Sequence, residues 1–226
     1  MNYPANCKYA LLITSLPSHK NSLFDEKHTP LSRIQLDKRL ALLDEKDASD
    51  LLKIEGLLHW PQIKNEIDST FVDETLSSIA SIDNDFIKNI IIWRLELRII
   101  LAALRMRNQG LKQAPDEKLF GFDSWHFYIS NYWHEADFGL SQRLPWVAKV
   151  NELLLAGKSF QLEELLLSIV WEHYQRQSLG HYFDFEAVII YVLRWDMISR
   201  WSGNDKTLAL TRFNHLLDSG LQQIDL

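Results

Sequence analysis

Histidine and carboxylate side chains, the groups most able to hold a metal ion, are spread through this sequence without a recognised ligand pattern. There are eight histidines, but the zinc-peptidase pattern H-E-x-x-H does not occur. Neighbouring residues on a helix point about 100° apart and so cannot share one ion. We therefore predict no metal site and no cofactor, even at the closest local groups, which are Glu172–His173 with His181 and His134–Glu135 with Asp137.

Nucleotide and nucleophile patterns are missing as well. The sequence has no phosphate-binding G-x-x-x-x-G-K-[ST] or G-x-G-x-x-G segment and no G-x-S-x-G turn. Cys7 is the single cysteine, which excludes an intramolecular disulfide and a cysteine-based zinc cluster. Acidic residues gather where helices are predicted to begin, and there they are expected to cap free N–H groups. We predict no catalytic residue and a protein that is not an enzyme.

Four arginines and one tryptophan remain as candidates for binding a partner. Two of the arginines lie one turn apart on a strongly apolar predicted helix, and two lie on another beside tryptophans. In one interpretation they form ion pairs and Arg–Trp stacks between helices. In the other they form a docking face, because Trp and Arg are enriched at interface hot spots. The candidates are Arg94, Arg98, Arg194, Arg200 and Trp201.

Long helices are predicted to position these side chains. With only 8 Gly and 6 Pro, turns are few, which favours helices over a sandwich of many strands. The strongest helix is predicted over 85–110, capped by Asp83 and ended by Gly110 in the left-handed conformation. Because this helix is apolar on more than one face, we expect it to be central.

Apolar periodicity predicts further helices on both sides of the central one. Asp47 is the expected N-cap of a helix whose apolar residues run to Leu58, and Pro61 is expected to close that helix or to start another. Tyr9–Leu16 is predicted to be a short strand or an extended segment that ends at Pro17. The remaining helices are predicted over 31–43, 62–82, 146–156, 161–177, 184–202 and 204–218.

The predicted fold class is all-α, a multi-helix bundle with a short extended N-terminal segment. Residues 1–110 would form an N-terminal helical lobe and 146–226 a C-terminal lobe. An aromatic-rich connector with one or two short helices, 111–145, would join them, or all three would form one continuous domain. The connector also leaves open an enzyme site assembled from dispersed residues, namely His126, His134 and Asp137.

Charge and hydropathy limit the classes of partner. The net charge is −6, which argues against a general nucleic-acid binder, since such proteins bind largely by neutralising phosphates. No run is long and apolar enough for a membrane helix, and the first residues lack the pattern of a signal peptide. We predict a cytoplasmic protein that lies, at most, beside a membrane.

Several segments together resemble a bacterial family of unknown function whose members are encoded beside V-type ATPase subunits. They are YALLITSLP at 9–17, LFDEKHTPLS at 23–32, IIWRLELRIILAALRMRNQG at 91–110 and HYFDFEAVIIYVLRWDMISRW at 181–201. The last is the strongest match, with Tyr-Phe-Asp, an apolar stretch and an Arg-Trp pair. An amphipathic terminal helix with Phe213 follows in the same way.

That family in turn is similar to the central-stalk socket subunit of V/A-type ATPases, called C or d. The resemblance implies an all-helical, non-catalytic protein that binds V-type ATPase rotor or membrane-ring subunits and joins the central stalk to the ring. A substoichiometric assembly or regulatory protein of the same complex is the alternative. The oligomeric state is left open.

Overall fold

The described part of the protein is all-α, as the sequence predicts. The computed structural model describes residues 7–58, 76–115 and 125–222, and for 204–222 it describes the backbone only. Within those ranges there is no β-strand, and residues 76–80 are helical. A 3₁₀ turn, Leu23–Asp25, accompanies the α-helices, which are α1 Ala10–Ser15, α2 Arg33–Leu40, α3 Glu45–Leu58, α4 Asp85–Asn108, α5 His126–Asn131, α6 Trp146–Leu155, α7 Ser159–Gln177 and α8 Phe185–Gln222.

Contacts divide the chain into two units. Unit 1 comprises Met1–Leu43 and Trp171–Leu226, and unit 2 comprises Asp44–Val170. The predicted lobes 1–110, 111–145 and 146–226 share no boundary with these units. The lobes follow changes in composition, whereas the units follow contacts between segments that are far apart in the sequence, and composition does not record those contacts.

In unit 1, an irregular segment, residues 17–31, is fastened to helices near the other end of the chain. We refer to it as the anchored segment. The indole N–H of Trp171 donates to the Asn21 carbonyl at 2.8 Å, and that of Trp195 donates to the Leu31 carbonyl at 2.9 Å. The side chain of Leu23 is buried beneath the segment's 3₁₀ turn. The indole groups thus satisfy carbonyls that lack partners in regular structure.

The prediction of an extended segment over Tyr9–Leu16 is wrong, because residues Ala10–Ser15 form α1. Tyr9 and Leu12, three residues apart, are both buried, while Leu11 between them is exposed. That spacing belongs to a helix and not to a strand. A helix of six residues is too short for the sequence to show the helical period clearly.

Unit 2 is built around α4, which packs against α3 and α6. Its buried residues, from Ile87 to Leu104, cover more than one face of the helix, so the expectation of a central helix is confirmed for this unit. The C-terminus of α4 has the predicted glycine: Gly110 has φ of +99°. The N–H of Gly110 donates to the Arg107 carbonyl at 3.0 Å and that of Leu111 to the Met106 carbonyl at 3.1 Å, which is the Schellman arrangement.

Two predicted N-caps are wrong by a few residues. The side chain of Asn84, and not that of Asp83, accepts from the Phe86 and Ile87 N–H groups at the start of α4. Asp83 instead pairs with Lys46 at 2.7 Å. Asp47 lies inside the first turn of α3, which begins at Glu45. Asp and Asn are nearly equal as N-caps, so sequence preference could not choose among adjacent candidates.

The two predicted C-terminal helices, 184–202 and 204–218, form a single helix of 38 residues, α8. Gly203 lies inside it, and a Cβ placed there would meet nothing within 4 Å. An interior glycine costs a helix only about 1 kcal/mol relative to alanine. That cost does not end a helix whose first half is packed through residues such as Val188 and Val192.

Candidate functional site

The two candidate arginines on α4 lie in unit 2, where they take part in packing. Arg94 has a relative exposure of only 3 %. Arg98 donates to the Leu57 carbonyl at 3.3 Å, close to the C-terminus of α3, where helix carbonyls lack intrahelical partners. Arg94 and Arg98 therefore do not form an exposed pair on this unit.

The other three candidates lie on α8 in unit 1. The guanidinium of Arg194 sits 4.1 Å from the ring centroid of Trp171 and donates to the Lys20 carbonyl at 2.9 Å, so it holds the anchored segment. Trp201 makes an edge contact with Phe24 at 4.9 Å between ring centroids, and Phe24 is 39 % exposed. Arg200 and Trp201 are partly accessible, which leaves them as the candidates best placed to meet a partner.

The pKa values are strongly shifted in an aromatic pair formed by His19 of the anchored segment and Tyr191 of α8. The rings of His19 and Tyr191 stack at 4.1 Å between centroids. Burial, aided by the charge of Arg194, lowers the pKa of His19 to about 3. Burial also raises the pKa of Tyr191 to about 12. Both groups are therefore neutral near pH 7 and poorly suited to general acid–base catalysis, which needs a pKa near the working pH.

The structure brings together two of the three dispersed residues proposed as an enzyme site. His126 and His134 line an open cleft of about 610 Å³ in unit 2, and Lys112 and Trp133 line it with them. The cleft therefore places the amino group of Lys112 and the imidazoles of His126 and His134 around the same space as the indole ring of Trp133. It lacks the third residue, Asp137, among its lining residues.

Asp137 instead organises its own loop. Its carboxylate accepts from the backbone N–H groups of Gly139 at 3.1 Å and Ser141 at 3.0 Å, and from the Ser141 hydroxyl. These hydrogen bonds, that of the Ser141 hydroxyl first, lower the pKa of Asp137. A carboxylate whose lone pairs are taken up in this way is a weak base, which fits a structural role.

A three-residue group at the start of α8 has the donor atoms of a metal site. The His181 Nδ1 and Asp184 Oδ2 atoms lie 2.7 Å apart, and one donor atom from each of His181, Asp184 and Glu186 lies within 4.8 Å of the other two. In the sequence, His181 was predicted to group with Glu172 and His173 instead. The spacing i, i+3, i+5 at the point where the chain enters a helix is the sequence signal of the group that the structure has.

A family model described as "Protein of unknown function (DUF2764)" matches residues 62–221, which is well over half of the chain. The chain therefore belongs to that family. No curated protein matches it, and no solved structure matches it.

Within the described residues, no helix is both long enough and apolar enough to cross a membrane. The 24-residue helix α4 carries Arg94, Glu96 and Arg98 among its apolar residues. Charged groups of this kind are costly in the bilayer interior.

Proposed function

We propose that this protein is a non-catalytic protein–protein interaction component of a V-type ATPase, placed as the socket between the central stalk and the membrane ring. It would work at the cytoplasmic face of the membrane, where it would bind rotor or ring subunits and transmit torque. Such a role needs stiff helices and specific contact surfaces, and it needs no bound nucleotide.

The observation that carries this proposal is the order and spacing of the segments at 9–17, 23–32, 91–110 and 181–201, which together resemble the family encoded beside V-type ATPase subunits. The resemblance spans both units of the fold. An all-α architecture, which the structure has, is the architecture that the resemblance implies.

Exposed apolar side chains give the protein surfaces suited to partners. In the turn before α8, Leu179 is 75 % exposed and Tyr182 is 68 % exposed. This turn is held in place because the Tyr9 N–H donates to the Phe183 carbonyl at 2.8 Å. Large apolar groups on an ordered turn cost little conformational entropy on binding, and tyrosine is common at interface hot spots.

Among the five predicted partner-binding residues, we propose that Arg200 and Trp201 make the contact. The other three take part in packing, through the burial of Arg94, the bond from Arg98 to Leu57 and the stack of Arg194 on Trp171. Arg200 and Trp201 occupy neighbouring, partly accessible positions on α8, and a guanidinium at such a position suits an acidic loop of a partner.

The test is to tag the protein at its C-terminus in its native host, purify it gently and quantify the proteins that accompany it. We expect V-type ATPase rotor or ring subunits in stoichiometric amount, and we expect Arg200→Glu to reduce their recovery at least fivefold. Arg176→Glu is the matched control, because Arg176 is an exposed arginine of the same unit, and it should leave recovery unchanged.

Different outcomes separate the alternatives. ATPase subunits at far below one per chain would point to an assembly or regulatory protein of the same complex. A complete lack of ATPase subunits, in cells shown to express the complex, would contradict the proposal. Equal losses with Arg200→Glu and Arg176→Glu would contradict the assignment of Arg200 to the contact.

A further inference from the structure

We propose that His181, Asp184 and Glu186 form a binding site for a divalent transition-metal ion, with Zn²⁺ as the preferred probe. Their donor atoms lie within 4.8 Å of one another. In a zinc site with bonds of about 2.0–2.1 Å, tetrahedral ligand atoms lie roughly 3.4 Å apart. Shifts of about 1 Å in the side chains therefore suffice to bring all three donors onto one ion.

The backbone around the three donors is already fixed. Gly180 turns the chain with φ of +92°, and the Phe183 carbonyl is tied to the Tyr9 N–H at 2.8 Å. The first carboxylate is oriented as well, because Asp184 Oδ1 accepts from the Ala187 N–H at 3.0 Å. Such a hydrogen bond leaves Oδ2 directed at His181, and outer hydrogen bonds of this kind commonly position metal ligands.

Charge favours a cation at this point. Two carboxylates held close together repel each other, and a divalent ion between them removes that repulsion. The N-terminus of α8 contributes roughly +0.5 of an elementary charge, which opposes a cation. The two carboxylates together carry about −2, so the net attraction remains.

The mixture of ligands selects the class of ion. One imidazole nitrogen with two carboxylate oxygens suits Zn²⁺ and its neighbours among the transition metals, whereas Mg²⁺ prefers an all-oxygen, largely hydrated shell. The side chains of His181 and Asp184 are 29 % and 15 % exposed. An ion held there keeps water in its remaining coordination positions and is reached directly from solvent.

The competing explanation is purely structural: Asp184 caps α8 and His181 pairs with it. Titration of the metal-free full-length chain with ZnCl₂ by calorimetry separates the two. We expect one saturable site per chain, at least tenfold weaker binding in His181→Ala and in Glu186→Gln, and no heat with millimolar MgCl₂. Glu186→Gln preserves side-chain size, so it serves even where His181→Ala perturbs the turn.

His28→Ala is the matched control, because His28 is an exposed histidine of the same unit and belongs to no such group among the residues that the structure describes. It should bind Zn²⁺ as the parent chain does. The proposal is overturned when the parent chain shows no saturable Zn²⁺ binding, or when Glu186→Gln and His181→Ala bind as tightly as His28→Ala.

Discussion

Arg107 shows how a single side chain can organise a loop of unit 2. Its guanidinium donates to the carbonyls of Trp133 at 3.1 Å and Ala136 at 2.9 Å, and also to that of Glu135. It also donates to the side chain of the buried Asn151 at 2.9 Å. The planar group with five N–H donors can serve all these acceptors at once, which a lysine could not do.

We predict that Arg107→Ala destabilises the protein by about 2–3 kcal/mol, because several acceptors in and below this loop lose a charged donor. The loop has a second contact with Arg107, whose guanidinium lies 4.5 Å from the centroid of the buried Phe138 ring. The backbone of Phe138 has a φ of +54°, which is unusual for a residue other than glycine, and this contact helps to hold it. The measurement is urea denaturation followed by circular dichroism.

Arg143→Ala is the control for this prediction. Its guanidinium lies over the Tyr128 ring at 5.0 Å but at an exposed position, where such a contact contributes about 0.5 kcal/mol. If the two variants lost the same free energy of unfolding, the loss of a positive charge, and not the loss of the hydrogen bonds to carbonyls, would explain the destabilisation.

At the scale of elements, helix ends are decided by particular side chains. Asn84 and Asp83 are neighbours, and both residue types are good N-caps. In the structure the amide oxygen of Asn84 accepts from the Phe86 N–H at 2.9 Å and the Ile87 N–H at 3.3 Å. Asp83 instead pairs with Lys46 on α3.

We predict that Asn84→Ala lowers the free energy of unfolding by about 1 kcal/mol, the usual cost of a lost N-cap. Asp83→Ala should leave the unfolding midpoint almost unchanged, because its pair with Lys46 is largely exposed and screened by solvent. Thermal melts of the two variants, recorded side by side, measure the difference. A larger loss for Asp83→Ala would mean that the cap is Asp83, as the sequence alone suggested.

At the scale of the whole molecule, unit 1 depends on residues that the family match leaves out. The match covers 62–221, whereas the unit also includes Met1–Leu43. Leu12, Leu23 and Leu36 are buried to 1 % exposure or less. The carbonyl partners of Trp171 and Trp195 lie in the same stretch.

We predict that a chain starting at residue 44 loses the native packing of α8. Removing residues 1–43 would expose the apolar faces and the indole groups that they cover. The truncated chain should bind the dye ANS, shift its tryptophan fluorescence to the red and elute as aggregates, whereas the full chain should do none of these. A monomeric truncated chain with an unchanged cooperative melt would refute the prediction.

Periodicity and turn chemistry within the sequence determined the helical class, the central helix α4 and its glycine at 110. These features depend on residues three to five positions apart, so a short stretch of sequence is enough to predict them. The ends of α6 and α7 were predicted to within two residues for the same reason, as Trp146–Leu155 and Ser159–Gln177 show.

Only the tertiary structure decided which segments meet. The bond from Trp195 to Leu31 joins residues 164 positions apart, and no local pattern specifies such a pair. No local pattern specifies the burial of Arg94 either. The short helix α1 is stabilised by the packing of Tyr9 and Leu12, and α8 continues without a break at Gly203. Burial and long-range hydrogen bonds are properties of the assembled chain, and they decide between local alternatives that differ by only about 1 kcal/mol.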